Sequence, residues 1–233
     1  MTGQRRRWHI YPSADELVRH VAGAVTRAAA EARVRAGRFD VVLAGGTTPR
    51  ALYERLAAEH AGNARWHVWF GDERCLGVDH PDRNETMART VWLDDSDIPA
   101  EQIHGVPPEP DPAVAARRYA AALARIDVFD LVLLGVGEDG HTASLFPGMA
   151  AGFAQDAPDA LAVRDAPKPP PERITLSARR LSRARQVLVL ATGAGKRDAV
   201  ERWRCGDDLP VARITPPDGV DVFLDEAALP PAR

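Results

Sequence analysis

Four apolar runs in this chain each end in a polar turn that carries glycine, and this repetition constrains the fold more than any other feature. FDVVLA (39–44) leads into GGTTP, WHVWF (66–70) into GDER, DLVLL (130–134) into GVGEDGH, and QVLVLA (186–191) into TGAGK. Continuous apolar runs this short, bounded by glycine and rich in Val and Leu, suit strands buried on both faces of a sheet. Helical patterns separate them. Ser13 and Glu16 form a capping box ahead of Leu17, Val18, Val21, Val25 and Ala28, and Gly37 stops that helix. Thr48, an N-cap followed by Pro49, starts a helix that turns Leu52, Tyr53 and Leu56 inward and runs to about His60. Asn84 caps a short helix through Trp92. Asp111-Pro112 opens another with Val114, Tyr119 and Leu123 on its buried side, and a last helix spans about Lys196 to Arg204. RITL (173–176) and VDVFL (220–224) supply further strands. The alternation predicts an α/β chain with a mostly parallel sheet covered on both faces. The proline clusters VPPEPDP and APKPPPE lie between elements of one series, so they are expected to be surface loops of a single domain spanning 1–233.

Bulk composition narrows the function classes. A formal net charge of −3 gives no electrostatic reason to expect nucleic acid or a membrane surface as partner. The N-terminal cluster Arg5–Arg7 is short and reads as a solvated tail. No apolar h-region follows it, and no run approaches the roughly 18 residues of a membrane span. A cytoplasmic location is the default expectation. Cys75 and Cys205 are too few for a disulfide framework or a structural zinc site. Of the 30 basic residues only two are lysines, Lys168 and Lys196. A lysine kept where arginine is the default suggests a place for a compact ammonium.

Gly135, Gly137 and Gly140 spell GxGxxG after a strand, the pattern of dinucleotide-binding folds. That fingerprint also needs a long helix opening within it and an acidic residue ending a second strand about 20 residues on. Only six residues separate Gly140 from Pro147. Asp156 and Asp159 have the spacing but follow no strand-like segment. The spacing fits a cofactor loop and the context does not.

Ligands of open parallel sheets bind beyond the carboxyl ends of the strands. One sheet edge is therefore expected to gather Thr47, Thr48, Asp72, Arg74, Asp139, His141 and Lys196. Gly45, Gly46 and the two threonines put backbone N–H groups and hydroxyls at a helix start, which suits phosphate as well as a plain capped turn. Lys196 at another helix start opposes the dipole, a conflict that a nearby anion or solvent screening resolves. Arg74 offers a bidentate guanidinium, or else an internal salt bridge with Asp72 or Glu73. His141, oriented by Asp139 or another carboxylate, has the chemistry of a general base near neutral pH. The other histidines read as bland: His20 and His60 on helices, His67 in a strand, His9, His80 and His104 near loops. No HxH, HExxH or CxxC spacing points to a metal, and no GxSxG elbow to an acyl-enzyme. The residues by themselves suggest a small phosphorylated substrate and water-based or proton-transfer chemistry.

Taken together, GGTTP, GDERCLGVDHPDRN, GVGEDGHTASLFPG, RITLS and TGAGK resemble, in order and over essentially the whole chain, the 6-phosphogluconolactonases. Related glucosamine-6-phosphate deaminases share a DGH turn but continue differently where TASLFP stands here. The resemblance implies a three-layer αβα, Rossmann-like fold of the NagB/RpiA/CoA-transferase kind, no metal or other cofactor, and lactone hydrolysis in the oxidative pentose phosphate pathway. It implies His141 as the base that activates water and Asp139 as the residue that orients the site. It further implies Arg74 and Lys196, with Gly45, Gly46, Thr47, Thr48 and Asp72, on the substrate's phosphate and hydroxyls, and Arg173 as a weaker contact. The expected partner is a small-molecule substrate, for a monomer or small homo-oligomer. Arg83 stands where serine is usual in the family, so its charge borders the cleft or points to solvent. The alternatives are an amino-sugar-phosphate deaminase, a sugar-phosphate-sensing module and a nicotinamide dehydrogenase. The sensing module normally follows a DNA-binding helix pair, for which no room is seen before Ser13, and the dehydrogenase is weakened by the short segment after Gly140.

Overall fold

Side-chain alternation along the strands sorts the core into two halves. In FDVVL, Val41 and Leu43 point to one face and Val42 to the other, and each is buried under a helical layer. The computed structural model describes residues 3–59 and 63–230; His60, the expected helix end, lies outside them. In chain order the elements are β1 (Arg6–Tyr11), α1 (Ala14–Ala36), β2 (Phe39–Leu43), α2 (Thr47–Ala58), β3 (Trp66–Phe70), β4 (Asp72–Arg74), α3 (Asn84–Val91) and β5 (Ile103–His104). There follow α4 (Pro112–Leu123), β6 (Phe129–Gly135), β7 (Ala160–Val163), β8 (Arg173–Leu176), α5 (Ala178–Ser182), β9 (Ala184–Ala191), α6 (Arg197–Cys205) and β10 (Val220–Asp225).

Seven strands form one parallel sheet in the order β1-β10-β9-β6-β2-β3-β5. From β2 the chain moves outward through β3 to β5; from β6 it moves the other way through β9 to β10. The β2–β6 junction is thus a topological switch point, where connections diverge and leave a crevice beyond the strand ends. Helices α1, α2 and α3 cover one face through Leu17, Val21, Val25, Leu52 and Leu56 against Val41, Leu43, Leu131 and Leu133. Helices α4 and α6 cover the other, with Tyr119, Leu123 and Trp203 among the buried residues. The observed arrangement is the three-layer αβα, mostly parallel fold. No described helix is long and apolar enough to cross a membrane.

Several expectations needed correction. Arg5–Arg7 is not a solvated tail: β1 starts at Arg6 and pairs with β10 from Arg6↔Val220 to Tyr11↔Asp225. The arginines are tolerated because β1 is an edge strand and Arg7 bonds Asp221 at 2.7 Å. RITL joins not the main sheet but a three-stranded antiparallel sheet, β4-β8-β7. Its partners DER and ALAV are only three and four residues long, too short to display a period. α2 begins at Thr47 with Gly46 as N-cap at φ 107°, so Thr48 caps nothing; only glycine adopts that backbone readily. Arg83 precedes α3, and Asn84 is its first helical residue. Val114 is half-buried, while Ala115 and Ala116 carry the buried side of α4 with Tyr119 and Leu123. His9 and His104 sit in strands β1 and β5 rather than near loops.

Candidate active site

At the β2–β6 switch point a cleft of about 300 Å³ opens between strand ends, at the small end of the usual range for ligand sites. Its floor comes from the ends of β2 (Leu43–Gly46) and β6 (Leu133–Gly137), and Asp72, Arg74 and Arg173 of the small sheet wall one side. His141 and Lys196 also line it. The structure therefore brings together Gly45, Gly46, Asp72, Arg74, His141, Arg173 and Lys196, with Asp139 immediately behind His141. Thr47 and Thr48 start the helix beside it without lining it. Thr47 is exposed, and Thr48 shares a 2.6 Å hydroxyl–hydroxyl bond with Thr192, tying the GGTTP turn to the TGAGK turn.

The GVGEDGH segment folds back on itself rather than opening a helix. Gly137 N–H donates to His141 O at 2.8 Å, and Gly140 N–H to Gly137 O at 3.0 Å. A Cβ on Gly137 would stand 1.9 Å from His141 Nδ1 and 2.7 Å from Asp139 Oδ1. This glycine is therefore required by the close approach of the imidazole. Asp139 Oδ1 accepts from His141 Nδ1 and, at 3.2 Å, from His141 N–H. Partial burial works to raise the Asp139 carboxyl, but the bonds and charge of His141 outweigh it and hold the group below the usual carboxylate range. Asp139 is thus an ionised acceptor, which assigns the proton to Nδ1 and leaves Nε2 as the free nitrogen. Phe146 packs on the ring, with centroids 4.8 Å apart. Two residues on, Ala143 lines the cleft with φ 48°, a left-handed backbone unusual for a residue with a Cβ.

Across the cleft, Asp72 is buried and fixed from both sides. Its Oδ2 accepts from Ser144 Oγ at 2.6 Å and its Oδ1 from Asn84 Nδ2 at 3.1 Å. Asn84 serves this contact instead of capping α3. Arg74 donates to Asp82 O and pairs with neither Asp72 nor Glu73; its Nε is buried without a partner. Arg83 neither borders the cleft nor meets solvent. It is 3% exposed and lies between Glu73 (3.6 Å) and Glu85 (3.3 Å), with Val106 O at 3.1 Å. Glu73 accepts the backbone N–H groups of Arg74, Asn84 and Glu85 at 2.7–2.9 Å. Burial nonetheless pushes its carboxyl up, against Arg83 and those three donors. The pair is a buried brace that locks the GDER turn to the start of α3.

Lys196 ends the TGAGK turn at the head of α6, and partial burial, with a smaller push from Lys168, lowers its ammonium against the opposing charges of Glu138 and Asp139. Lys168, absent from the residues expected at the site, lines the cleft from the APKPPPE loop. Its one sequence signal was that it is a lysine in an arginine-rich chain. Ser144 and Asn84 had no comparable signal, because each matters only through contact with Asp72. The lining carries four cationic side chains, Arg74, Lys168, Arg173 and Lys196, and one acidic one, Asp72. Among the described residues no cluster of three or more His, Cys, Asp or Glu has metal-holding geometry.

The family model for "Glucosamine-6-phosphate isomerases/6-phosphogluconolactonase" matches residues 12–223. The chain belongs to this family. Within the glucosamine-6-phosphate isomerase/6-phosphogluconolactonase family it is 41% identical to the 6-phosphogluconolactonase of a Nostoc species, over 82% of this chain and 83% of that one. It is 37% identical to the 6-phosphogluconolactonase of Homo sapiens, over 94% and 91%. Its fold superimposes on the crystal structure of 6-phosphogluconolactonase from Thermotoga maritima with a TM-score of 0.87 at 25% identity, covering 95% of this chain and all of that one (100%). The segments that match span the cleft and both helical layers.

Proposed function

We propose that this chain hydrolyses 6-phospho-D-glucono-1,5-lactone to 6-phosphogluconate in the oxidative pentose phosphate pathway, as one cytoplasmic domain over residues 1–233 that works as a monomer or small homo-oligomer. The observation that carries this reading is an ionised carboxylate, Asp139, on Nδ1 of a histidine that faces a strongly cationic cleft. Relatives 37–41% identical that bear the lactonase name support the same chemistry.

In this reading His141 Nε2 takes a proton from a water as its oxygen adds to C1 of the lactone. Asp139 stabilises the imidazolium that forms. The C1 carbonyl becomes a tetrahedral oxyanion, favoured by the positive potential of the cleft. Collapse breaks the bond from C1 to the ring oxygen, and that oxygen receives the proton from His141. The balance is lactone plus water to the open acid, with the histidine restored. Arg74 and Lys196, with the backbone of Gly45 and Gly46, bind the phosphate and neighbouring hydroxyls, while Thr47 and Thr48 stand beside the cleft, where the Thr48–Thr192 bond holds the two turns together. Asp72 repels phosphate, so its part is to accept from a sugar hydroxyl, held in place by Ser144 and Asn84. The test is a pH-stat assay. The native chain should release acid from the lactone well above the spontaneous rate and release no ammonia from glucosamine 6-phosphate. Ammonia release without lactone hydrolysis would replace this reading with the deaminase one.

A further inference from the structure

Lys168 has no part in the reading above, yet it is held more deliberately than its exposed position requires. Arg173, only 6% exposed, donates from Nη2 to Lys168 O (3.0 Å) and Pro169 O (3.1 Å), and from Nε to Pro170 O (3.1 Å). Its Nη1 lies 3.5 Å from Ser144 Oγ. Three consecutive carbonyls of one loop thus converge on a single buried guanidinium, which sets where residues 168–170 stand. The loop so fixed carries Lys168 to the mouth of the cleft that Lys196 lines. These are the only two lysines in the chain, against 28 arginines.

No carboxylate among the described residues lies within 4 Å of either ammonium. Glu138 and Asp139 act on Lys196 from a distance without pairing with it, and Lys168 opposes it from across the cleft, a repulsion that grows as water is excluded. An anion between the two lysines reverses the sign. A phosphomonoester carries nearly two negative charges at pH 7 and three acceptor oxygens, and a lysine ammonium can turn its three donors to meet them. Arg173 is poorly suited to that task, because its Nε and Nη2 are spent on the loop and its Nη1 is turned toward Ser144.

We infer that Lys168 and Lys196 bracket the phosphate of the substrate, and that Arg173 is the positioning residue that holds Lys168 in place. The inference rests on the proposed lactonase reading and names the residues that set its preference for a phosphorylated substrate. Lys168→Ala should raise KM for 6-phosphogluconolactone roughly 10-fold or more with kcat little changed, the loss expected for one charge-assisted bond. It should leave the kinetics on unphosphorylated gluconolactone alone. Lys168→Arg should recover part of the affinity. Arg173→Gln should raise the same KM, and adding it to Lys168→Ala should cost little more, since both remove one contact. An unchanged KM in Lys168→Ala, or an equal loss on both lactones, overturns the assignment. Calorimetric binding of 6-phosphogluconate separates this inference from the reading beneath it. If the native chain binds that anion, and Lys168→Ala does so at least 10-fold more weakly, the bracket stands even where lactone hydrolysis is absent. If the native chain hydrolyses the lactone and the variant binds the anion as tightly, the bracket alone falls.

Discussion

Where the strands of the main sheet begin, Arg35 and Arg185 share Asp130, Arg38 grips Asp40 at 2.6 and 2.7 Å, and Arg7 and His9 share Asp221. Where they end, neither Lys168 nor Lys196 has a carboxylate of the described residues within 4 Å. Both edges are rich in charge. At the first, the charges neutralise one another and serve folding: Asp130 even accepts the backbone N–H of Asp40 at 2.9 Å, stitching β6 to β2. At the second, the four cationic side chains that line the cleft outnumber its one acidic one, Asp72, so a net positive charge remains for a ligand. The difference teaches where to look for function in a fold of this kind. Paired charge reads as architecture, and unpaired charge held in a cleft reads as chemistry.

Substitutions on the two edges should accordingly separate activity from stability. The largest effect is expected at His141. His141→Ala should lower kcat by about 10²–10⁴-fold, the usual contribution of a positioned base, while urea denaturation shows little change. On the paired edge, Asp130→Ala leaves the buried backbone N–H of Asp40 without its acceptor and frees two solvent-exposed arginines, and should cost about 1–3 kcal/mol of stability. The protein that remains folded should keep its kcat/KM. Lys196→Ala inverts that pattern: KM for the phosphorylated lactone should rise about 10-fold, with stability little changed. A comparable loss of stability in Lys196→Ala would blur the contrast.

The smallest effect concerns pH. His104 stacks on Trp69 at 3.9 Å and bonds His67 at 3.2 Å, near the Arg38–Asp40 pair. Burial, then the charge of His67, lowers its imidazole to about 4. An unfolded chain holds that proton up to about 6.5, so between these values the unfolded state binds more protons. Stability should therefore fall as pH drops from about 6.5 to about 4, and should be insensitive to this group above that window. The loss is on the order of 1 kcal/mol once solvent screening of a partly exposed ring is allowed for. Urea midpoints of the native chain and His104→Gln across pH 4–8 check it; parallel curves would contradict it.

The edge that ends in glycine turns was largely legible in the sequence. Each turn follows an apolar run long enough to be recognised as a strand, and the rule for parallel sheets then places His141, Arg74 and Lys196 together. The paired edge was not legible. Arg7 reads as a tail residue until Asp221, more than 200 positions away, is known to lie beside it. Arg83 looked like a cleft or surface residue because its partner Glu73 is buried only by the folded GDER turn. RITL has the pattern of any buried strand, and nothing in its four residues distinguishes the small antiparallel sheet from the large parallel one. Lys168 sits in a loop with no periodicity, and its role depends on an arginine five residues away turning back toward it.

The central claim is that the unpaired cations and the Asp139–His141 pair form one site for a phosphorylated lactone. The ratio of kcat/KM for 6-phosphoglucono-1,5-lactone to that for glucono-1,5-lactone, measured by acid release on the native chain, tests it most directly. Two ammoniums and a guanidinium on the phosphate predict a ratio of about 1000, at about tenfold for each of the three charge-assisted contacts. A ratio near one would contradict the account.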